Sequence, residues 1–333
     1  MTQVHNVTPE VMESVGTPKI LITDRIAPEG VQFLREQLPE ACIDERLGLK
    51  PDELKAIIGN YMALLVRSET RVTSDILASA TQLKVVGRAG VGVDNIDTEA
   101  AKRHGILVVN SPTGNSIAAA EHSIAMLLAL ARHIPTATAS LRAGKWEKSR
   151  FVGVEVGNKV LGIIGLGKVG MAVAQRAQGL EMRVLAYSPS ASHDLARKAG
   201  ITMMSLEEVI QQADFITIHT ALTSRTRDLL GERELRMMKP GARLINCARG
   251  GIIEEEALLK VLNEGHLAGV ALDVFSQEPI RDNETLKQII AHPAVITTPH
   301  LGASTAEAQV RVATDVAEQI VSVLRGDLSR SLQ

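Results

Sequence analysis

Lys159-Val-Leu-Gly-Ile-Ile-Gly165-Leu-Gly167-Lys168-Val169-Gly170 is an apolar strand running directly into the pattern G-x-G-x-x-G. Each glycine of the pattern has a physical task. Gly165 permits a tight turn, Gly167 lets the backbone approach a pyrophosphate, and Gly170 lets the following helix pack against the strand. That helix, expected from Lys168 to about Gln178, offers unpaired amide hydrogens and the positive end of its dipole to an anion. Glycines alone are weak evidence. Here the strand Arg183-Val-Leu-Ala-Tyr187 follows at the spacing that completes a βαβ unit. The segment reads as a nicotinamide-dinucleotide site.

Short apolar strands alternate with helical segments on both sides of this unit, the pattern of parallel α/β architecture. Strands are expected near Lys19–Thr23, Met62–Val66, Leu83–Val86 and Leu107–Val109. In the second half they are expected at Lys159–Ile164, Arg183–Tyr187, Phe215–Ile218, Arg243–Asn246, Gly269–Leu272 and Val295–Thr297. Helices are expected after caps at Asp52 and Thr98, and after the capping boxes Ser205-x-x-Glu208 and Ser304-x-x-Glu307. An alanine-rich helix from Ser116 to about His133, capped by Asn115, has apolar residues nearly all round and is expected to be buried. In the last helix Val312, Val316, Ile320 and Val323 recur at helical spacing.

The chain would cross between domains at Pro112–Asn115 and again at Thr298–Ser304. Residues 113–301 then form a Rossmann-type dinucleotide-binding domain with a doubly wound parallel sheet. Residues 1–112 and 302–333 form a discontinuous, flavodoxin-like α/β substrate domain, with ligand expected in a cleft outside the carboxyl ends of the strands.

A chain of 333 residues is long enough for two cores, and 45% apolar with 22% charged residues is ordinary for a globular protein. A net charge of −2 gives no electrostatic case for nucleic acid or an anionic membrane as partner. No apolar run reaches the ~18 residues of a membrane span. Met1–Pro18 carries no Lys or Arg and reads as a disordered extension rather than a leader. Cys42 and Cys247 read as reduced thiols, and the cytoplasm is the expected location. No His, Cys or Asp cluster has metal-ligand spacing, so no metal is expected. No Gly-x-Ser-x-Gly elbow follows a strand, which argues against a serine hydrolase.

Three polar residues fall in loops after expected strands. Arg249 lies in Cys247-Ala248-Arg249-Gly-Gly, Glu278 in Asp273-Val-Phe-Ser-Gln-Glu278-Pro, and His300 in Thr298-Pro-His300-Leu-Gly302. Singly, each is most simply a structural or solvated loop residue. Together on successive strand ends of a dinucleotide fold, they suit hydride transfer on a small 2-hydroxy acid. Arg249 would grip a carboxylate with its charged fork. His300 would take up and return the hydroxyl proton. Glu278 would orient the imidazole and stabilise its protonated form.

With these residues, the segments Val66-Arg67-Ser68, Gly87-Arg-Ala-Gly90-Val91-Gly-Val-Asp94-Asn95, Asn110-Ser-Pro-Thr-Gly-Asn115 and Pro299-His-Leu-Gly-Ala-Ser-Thr305 make the chain similar to the D-isomer-specific 2-hydroxyacid dehydrogenases. The similarity spans nearly everything after Pro18. It is greatest to the members that oxidise 3-phosphoglycerate to 3-phosphohydroxypyruvate with NAD, the entry to serine synthesis. It implies a small-molecule substrate and a homodimer built on the cofactor domains. By the same resemblance Lys168 and Val169 contact the pyrophosphate, while Thr220, Cys247, Ala248, Asp273 and Gly302 line the cofactor site. Gly90 and Val91 approach substrate and cofactor from the other domain. Arg67 is the candidate for the substrate phosphate, against the alternative of a surface ion pair with Glu69.

Two features depart from the pattern. NAD-using relatives carry an acidic residue after the second strand, whereas this chain has Ser188. Serine loses the repulsion of a 2′-phosphate, so NAD use with relaxed discrimination against NADP is expected. The chain also stops at Gln333, soon after its last helix, so C-terminal regulatory domains and feedback inhibition by serine are not expected. A glyoxylate or hydroxypyruvate reductase and a dinucleotide-sensing corepressor are the competing readings.

Overall fold

The computed structural model describes residues 17–327, so most of the extension expected over Met1–Pro18 lies outside the described residues. The chain divides into two compact units. One runs through Asn115 and resumes at Ala306; the other is Ser116–Thr305. The crossings thus fall a few residues beyond 112/113 and 301/302, for reasons visible in the hydrogen bonds. Gly114 N–H donates to Ser111 Oγ, and Arg311 Nε donates to the Gly114 carbonyl, 3.0 Å away, tying this stretch to the last helix. At the other crossing Gly302 N–H donates to Asp273 and so stays with the second unit.

In the first unit the strands β1 (Lys19–Ile22), β2 (Cys42–Glu45), β3 (Ala63–Val66), β4 (Val85–Arg88) and β5 (Leu107–Asn110) form a parallel sheet in the order β2-β1-β3-β4-β5. That is the flavodoxin-like order. Alternate side chains serve the two faces. Leu21, Leu64, Val66 and Val86 enter one core, and Ile20, Ile22, Leu65 and Val85 the other. The last helix, Ala306–Leu324, packs in the second of these cores, with Val312, Val316, Ile320 and Val323 all buried. Gly30 allows the Pro28–Gln37 helix to lie against it, because a Cβ there would press on Ala313.

The second unit holds β6 (Val160–Ile164), β7 (Arg183–Tyr187), β8 (Thr202–Met203), β9 (Phe215–Ile218), β10 (Arg243–Asn246), β11 (Gly269–Leu272) and β12 (Val295–Thr297). All pair in parallel, in the order β12-β11-β10-β9-β6-β7-β8. The order reverses at β6 and β9, the switch point where such sheets bind ligands. Near-continuous burial along β6, β9 and β11 reflects helices covering both faces.

Several local expectations are corrected. β2 and β8 were not expected; both are short edge strands, and β2 carries the polar sequence Cys-Ile-Asp-Glu, so neither shows an apolar run. Lys50 rather than Asp52 precedes the Pro51–Ile57 helix, and Asp97 rather than Thr98 caps the Thr98–Arg103 helix by accepting from Ala100 N–H. The alanine-rich helix ends at Ala131, and His133, at φ 55°, turns the chain into a second helix, Ile134–Arg142. The two meet at a 62° bend, and no single helix among the described residues is long and apolar enough to cross a membrane.

The glycine fingerprint is explained by space. Gly165 sits at φ 98°, where a side chain is strained, and a Cβ there would crowd the His219 carbonyl. A Cβ at Gly170 would run into the Gly165 carbonyl, whereas Gly167 faces open space. Gly170→Ala must therefore push the helix off its strand. The variant is expected to lose about 1–3 kcal/mol in urea unfolding; an unchanged midpoint would contradict this packing.

Candidate active site

Asn246 pairs with Leu272, and Leu272 with Thr297, so β10, β11 and β12 end in one row. The loops that follow emerge side by side, and they carry Arg249, Glu278 and His300. Asn246 shapes the first loop: its Nδ2 donates to the Arg249 carbonyl at 2.9 Å, and its Oδ1 accepts from Ala248 N–H at 3.0 Å. Gly250 lets this loop pass against the next, since a Cβ would collide with the Phe275 carbonyl. Arg249 Nη1 donates to the Ala248 carbonyl at 2.7 Å.

Glu278 accepts from Phe275 N–H at 2.9 Å through Oε1, and its Oε2 lies 2.6 Å from His300 Nδ1. This pair leaves Nε2 of the imidazole as the nitrogen available to a ligand. The hydrogen bond to Glu278 raises the affinity of His300 for a proton above the ordinary value near 6.5, against the opposing effect of burial. For Glu278, burial favours the protonated acid, but the bonds from His300 and the Phe275 amide outweigh it and hold the carboxyl below its usual range. The two shifts share one cause: the hydrogen bond between carboxylate and imidazole favours the charged form of each. His300 adopts φ 54°, a left-handed conformation costing a non-glycine residue about 1–3 kcal/mol, and strain of this kind concentrates at functional sites.

Asp273 braces the His300 loop from beneath. Its side chain is wholly buried, and it accepts from Thr298 Oγ1 at 2.6 Å, Leu301 N–H at 2.7 Å and Gly302 N–H at 2.8 Å. Its backbone carbonyl accepts from His300 N–H at 2.9 Å. Burial opposes ionisation, yet these donors, together with His122, keep the carboxyl below its ordinary value. Beside it Cys247 is pushed up to about 12 by burial and stays a neutral thiol. Folding also brings ligand atoms of His122, Cys247 and Asp273 within 4.8 Å of one another, a cluster invisible to a search for metal-type spacing. The carboxylate there is already engaged by hydrogen-bond donors, so the chemistry of the group is that of a brace.

The fingerprint residues suit a dinucleotide. Gly167 is exposed and leads into the Lys168–Gly179 helix, whose first turn holds exposed Lys168 and half-buried Val169. Space over Gly167 and the free amides of that turn match a pyrophosphate. Thr220 follows β9 on the adjoining strand end. Ser188 follows β7 and is buried, its carbonyl accepting from Ala191 N–H. Arg197, in the His193–Lys198 helix that follows Ser188, pairs with Asp194 at 2.9 Å on the surface.

In the first unit Val66, Arg88 and Asn110 also share one row at the carboxyl end of the sheet. Arg67 follows directly, in a loop held by Asp24 and Asn95. Asp24, itself buried, accepts from Arg67 N–H at 2.6 Å, and Asn95 Nδ2 donates to the carbonyls of Arg67 and Thr70 at 2.7 Å. The Arg67 guanidinium donates to the Arg25 carbonyl, 3.3 Å away, rather than pairing with Glu69. Gly90 and Val91 lie in the loop after β4; Ser111 N–H donates to the Gly90 carbonyl, and Asn110 Nδ2 to that of Val91.

A sequence profile of the D-isomer specific 2-hydroxyacid dehydrogenase NAD binding domain matches residues 124–302, over half of the chain and within the second unit. The chain belongs to this family. It is 48% identical over 321 residues to D-3-phosphoglycerate dehydrogenase of Synechocystis, covering 96% of this chain and 57% of that protein. It is 46% identical over 308 residues to the Bacillus subtilis D-3-phosphoglycerate dehydrogenase, covering 92% and 57%. The chain thus spans little more than half the length of these relatives. Among solved structures, the TT0316 protein of Thermus thermophilus is 32% identical with a TM-score of 0.85, covering 95% of this chain and all of that one. D-lactate dehydrogenase of Aquifex aeolicus, complexed with NAD and lactic acid, is 26% identical with a TM-score of 0.83, covering 93% and 97%.

The sequence reading missed Asn246, Thr298 and His122 in the second unit and Asp24 in the first. Asn246 and Thr298 flank residues it had singled out, and a polar residue at a strand end is a readable signal. His122 sits in an alanine-rich helix and carries no such signal.

If Glu278 supplies the proton affinity of His300, Glu278→Gln must lower it. Titration of the imidazole by NMR is expected to give a midpoint above 6.5 in the native protein and a lower one in the variant. Equal midpoints would remove Glu278 from this role.

Proposed function

We propose that the protein is an NAD-dependent dehydrogenase of D-2-hydroxy acids whose substrate is 3-phosphoglycerate, oxidised to 3-phosphohydroxypyruvate at the start of serine synthesis. The observation that carries this reading is the Glu278–His300 pair, 2.6 Å apart, on a strand end adjoining that of Arg249. The two phosphoglycerate dehydrogenases at 46–48% identity support the substrate.

Gly165, Gly167, Lys168, Val169 and Gly170 would hold the pyrophosphate. Thr220, Cys247, Ala248, Asp273 and Gly302 would stand on the nicotinamide side, and Val91 is a further candidate for cofactor binding. The bound nicotinamide supplies the hydride acceptor. Arg249 fixes the substrate carboxylate through two parallel N–H donors, and so sets which face of the 2-carbon is presented. His300 Nε2, deprotonated, takes the proton of the 2-hydroxyl; the charge that appears on the ring is stabilised by Glu278 through Nδ1. In the reverse direction the imidazolium returns that proton. Oxidation therefore needs His300 neutral and is expected to rise with pH through its elevated midpoint, while reduction falls.

Gly90, in the loop after β4, is our candidate for contact with the substrate, and Arg67 for its phosphate. Ser188 offers the ribose one neutral bond where a carboxylate would offer charged ones worth ~1.5–3 kcal/mol, so the preference for NAD over NADP is expected to be weakened about tenfold or more. This feature also keeps an NADP-accepting glyoxylate or hydroxypyruvate reductase as the second reading.

The decisive assay follows nicotinamide absorbance with both cofactors over 3-phosphoglycerate, D-glycerate, D-lactate, glyoxylate and hydroxypyruvate. We expect 3-phosphoglycerate with NAD to give the highest kcat/KM. His300→Asn should lower kcat by about 10²–10⁴-fold, and Arg67→Ala should raise KM for 3-phosphoglycerate but not for D-glycerate. Faster turnover of glyoxylate would move the assignment to a reductase, and absence of turnover on every substrate would refute an enzyme.

A homodimer through the second unit is part of the same proposal. Ile134, Leu141, Trp146 and Val152 are 52%, 59%, 84% and 78% exposed, an unusual number of exposed apolar side chains for one stretch of chain. A two-fold contact would cover the same side chains on both copies. Sedimentation velocity is expected to show a dimer for the native protein and monomer for the double variant Leu141→Glu, Trp146→Glu; a dimeric variant would place the contact elsewhere.

A further inference from the structure

We propose that His122, in the middle of the Ser116–Ala131 helix, is a positioning residue for His300. The proposal rests on the catalytic role given to His300 above.

His122 Nε2 lies 3.0 Å from Thr298 Oγ1 and 3.3 Å from Asp273 Oδ1. Thr298 has one hydroxyl hydrogen, and it is spent on Asp273, 2.6 Å away. Towards His122 the same oxygen can only accept. Asp273, ionised, can also only accept. Whichever of the two it serves, His122 Nε2 must carry a hydrogen, which fixes the ring as the Nε2–H tautomer or the imidazolium.

That single N–H meets both groups that bracket His300. Thr298 stands two residues before it. Asp273 holds its amide through the backbone carbonyl and the following amides of Leu301 and Gly302 through the carboxylate. Burial of a carboxylate costs several kcal/mol unless donors surround it. Cys247, a neutral thiol whose ionised form is itself an anion, cannot balance that charge. The helix bearing His122 is packed against the sheet through Leu127 and Leu130 in the same core as Ile245 and Ala271. It thus offers a rigid donor to a loop whose catalytic residue is held at φ 54°. Removing the donor would leave the carboxylate held only by groups of the loop itself, Thr298, Leu301 and Gly302, so that carboxylate and loop can shift together. A displacement of about 1 Å at a reacting group can cost ~10²-fold in rate.

The charged groups that bear on His300 are Glu278, Asp273 and Arg249. His122 reaches it through Asp273 alone, which is why it is a positioning residue and not a catalytic one.

Two substitutions separate the donor from the bulk of the side chain. His122→Leu removes the N–H; His122→Gln places an amide N–H where Nε2 stood. In the intact protein, amide exchange at Leu301 and Gly302 is expected to accelerate in His122→Leu and to stay near native in His122→Gln, with exchange in β6 and β9 unchanged. In parallel, kcat on the best substrate is expected to fall about ten- to hundredfold in His122→Leu and to recover in His122→Gln. Native exchange at Leu301 and Gly302 in His122→Leu, or equal acceleration in both variants, would overturn the proposal. Exchange reads the loop without requiring turnover, so a failed catalytic assignment would show separately as native activity in His300→Asn.

Discussion

Parallel register at the carboxyl ends of β10, β11 and β12 is the constraint from which the candidate site follows. Because Asn246, Leu272 and Thr297 lie in one row, three short loops must leave the sheet side by side. Arg249, Glu278 and His300, three to six residues past their strand ends, then have little freedom in where they can lie. The helices on both faces hold the sheet; its two cores, built from alternate residues of the same strands, fix the register that the loops inherit. A side chain three residues past a strand end is thereby positioned about as well as the strand itself.

Electrostatics does the finer work in two layers. Near the surface the Glu278–His300 pair makes the imidazole a stronger base than a free histidine and points its second nitrogen outward. Beneath it Asp273 is a buried anion satisfied entirely by donors that belong to the loop above or to the helix beside it. The upper layer sets proton affinity, and the lower layer sets geometry. This division explains how a residue in a left-handed conformation stays in place: its own amide and the two that follow it are all anchored to Asp273.

Much of this was legible in the sequence because the physical signals were local. The apolar run before Gly165, the capping box at Ser205 and the helical spacing of Val312, Val316, Ile320 and Val323 each record a short-range constraint, and each corresponds to structure. The positions of Arg249, Glu278 and His300 after strands were equally plain. What could not be read depends on contacts distant in sequence. His122 and Asp273 are far apart along the chain, and nothing near either announces the other. Edge strands such as β2 pair on one side only and tolerate polar residues, which erases the usual pattern. Cap positions fall one or two residues earlier than expected because Pro51 suits the first helical position, leaving Lys50 before it, and Asp97 is a better cap than the Thr98 that follows.

The central claim is that Arg249 and His300 address the same small molecule next to a nicotinamide. A crystal structure with NADH and oxamate, an unreactive analogue of a 2-keto acid, tests it most directly. The account predicts the oxamate carboxylate bidentate on Arg249, its carbonyl oxygen within about 3.2 Å of His300 Nε2, and the nicotinamide ring facing the adjoining carbon. Oxamate bound away from Arg249, or an imidazole turned from it with Glu278 unpaired, would contradict the account.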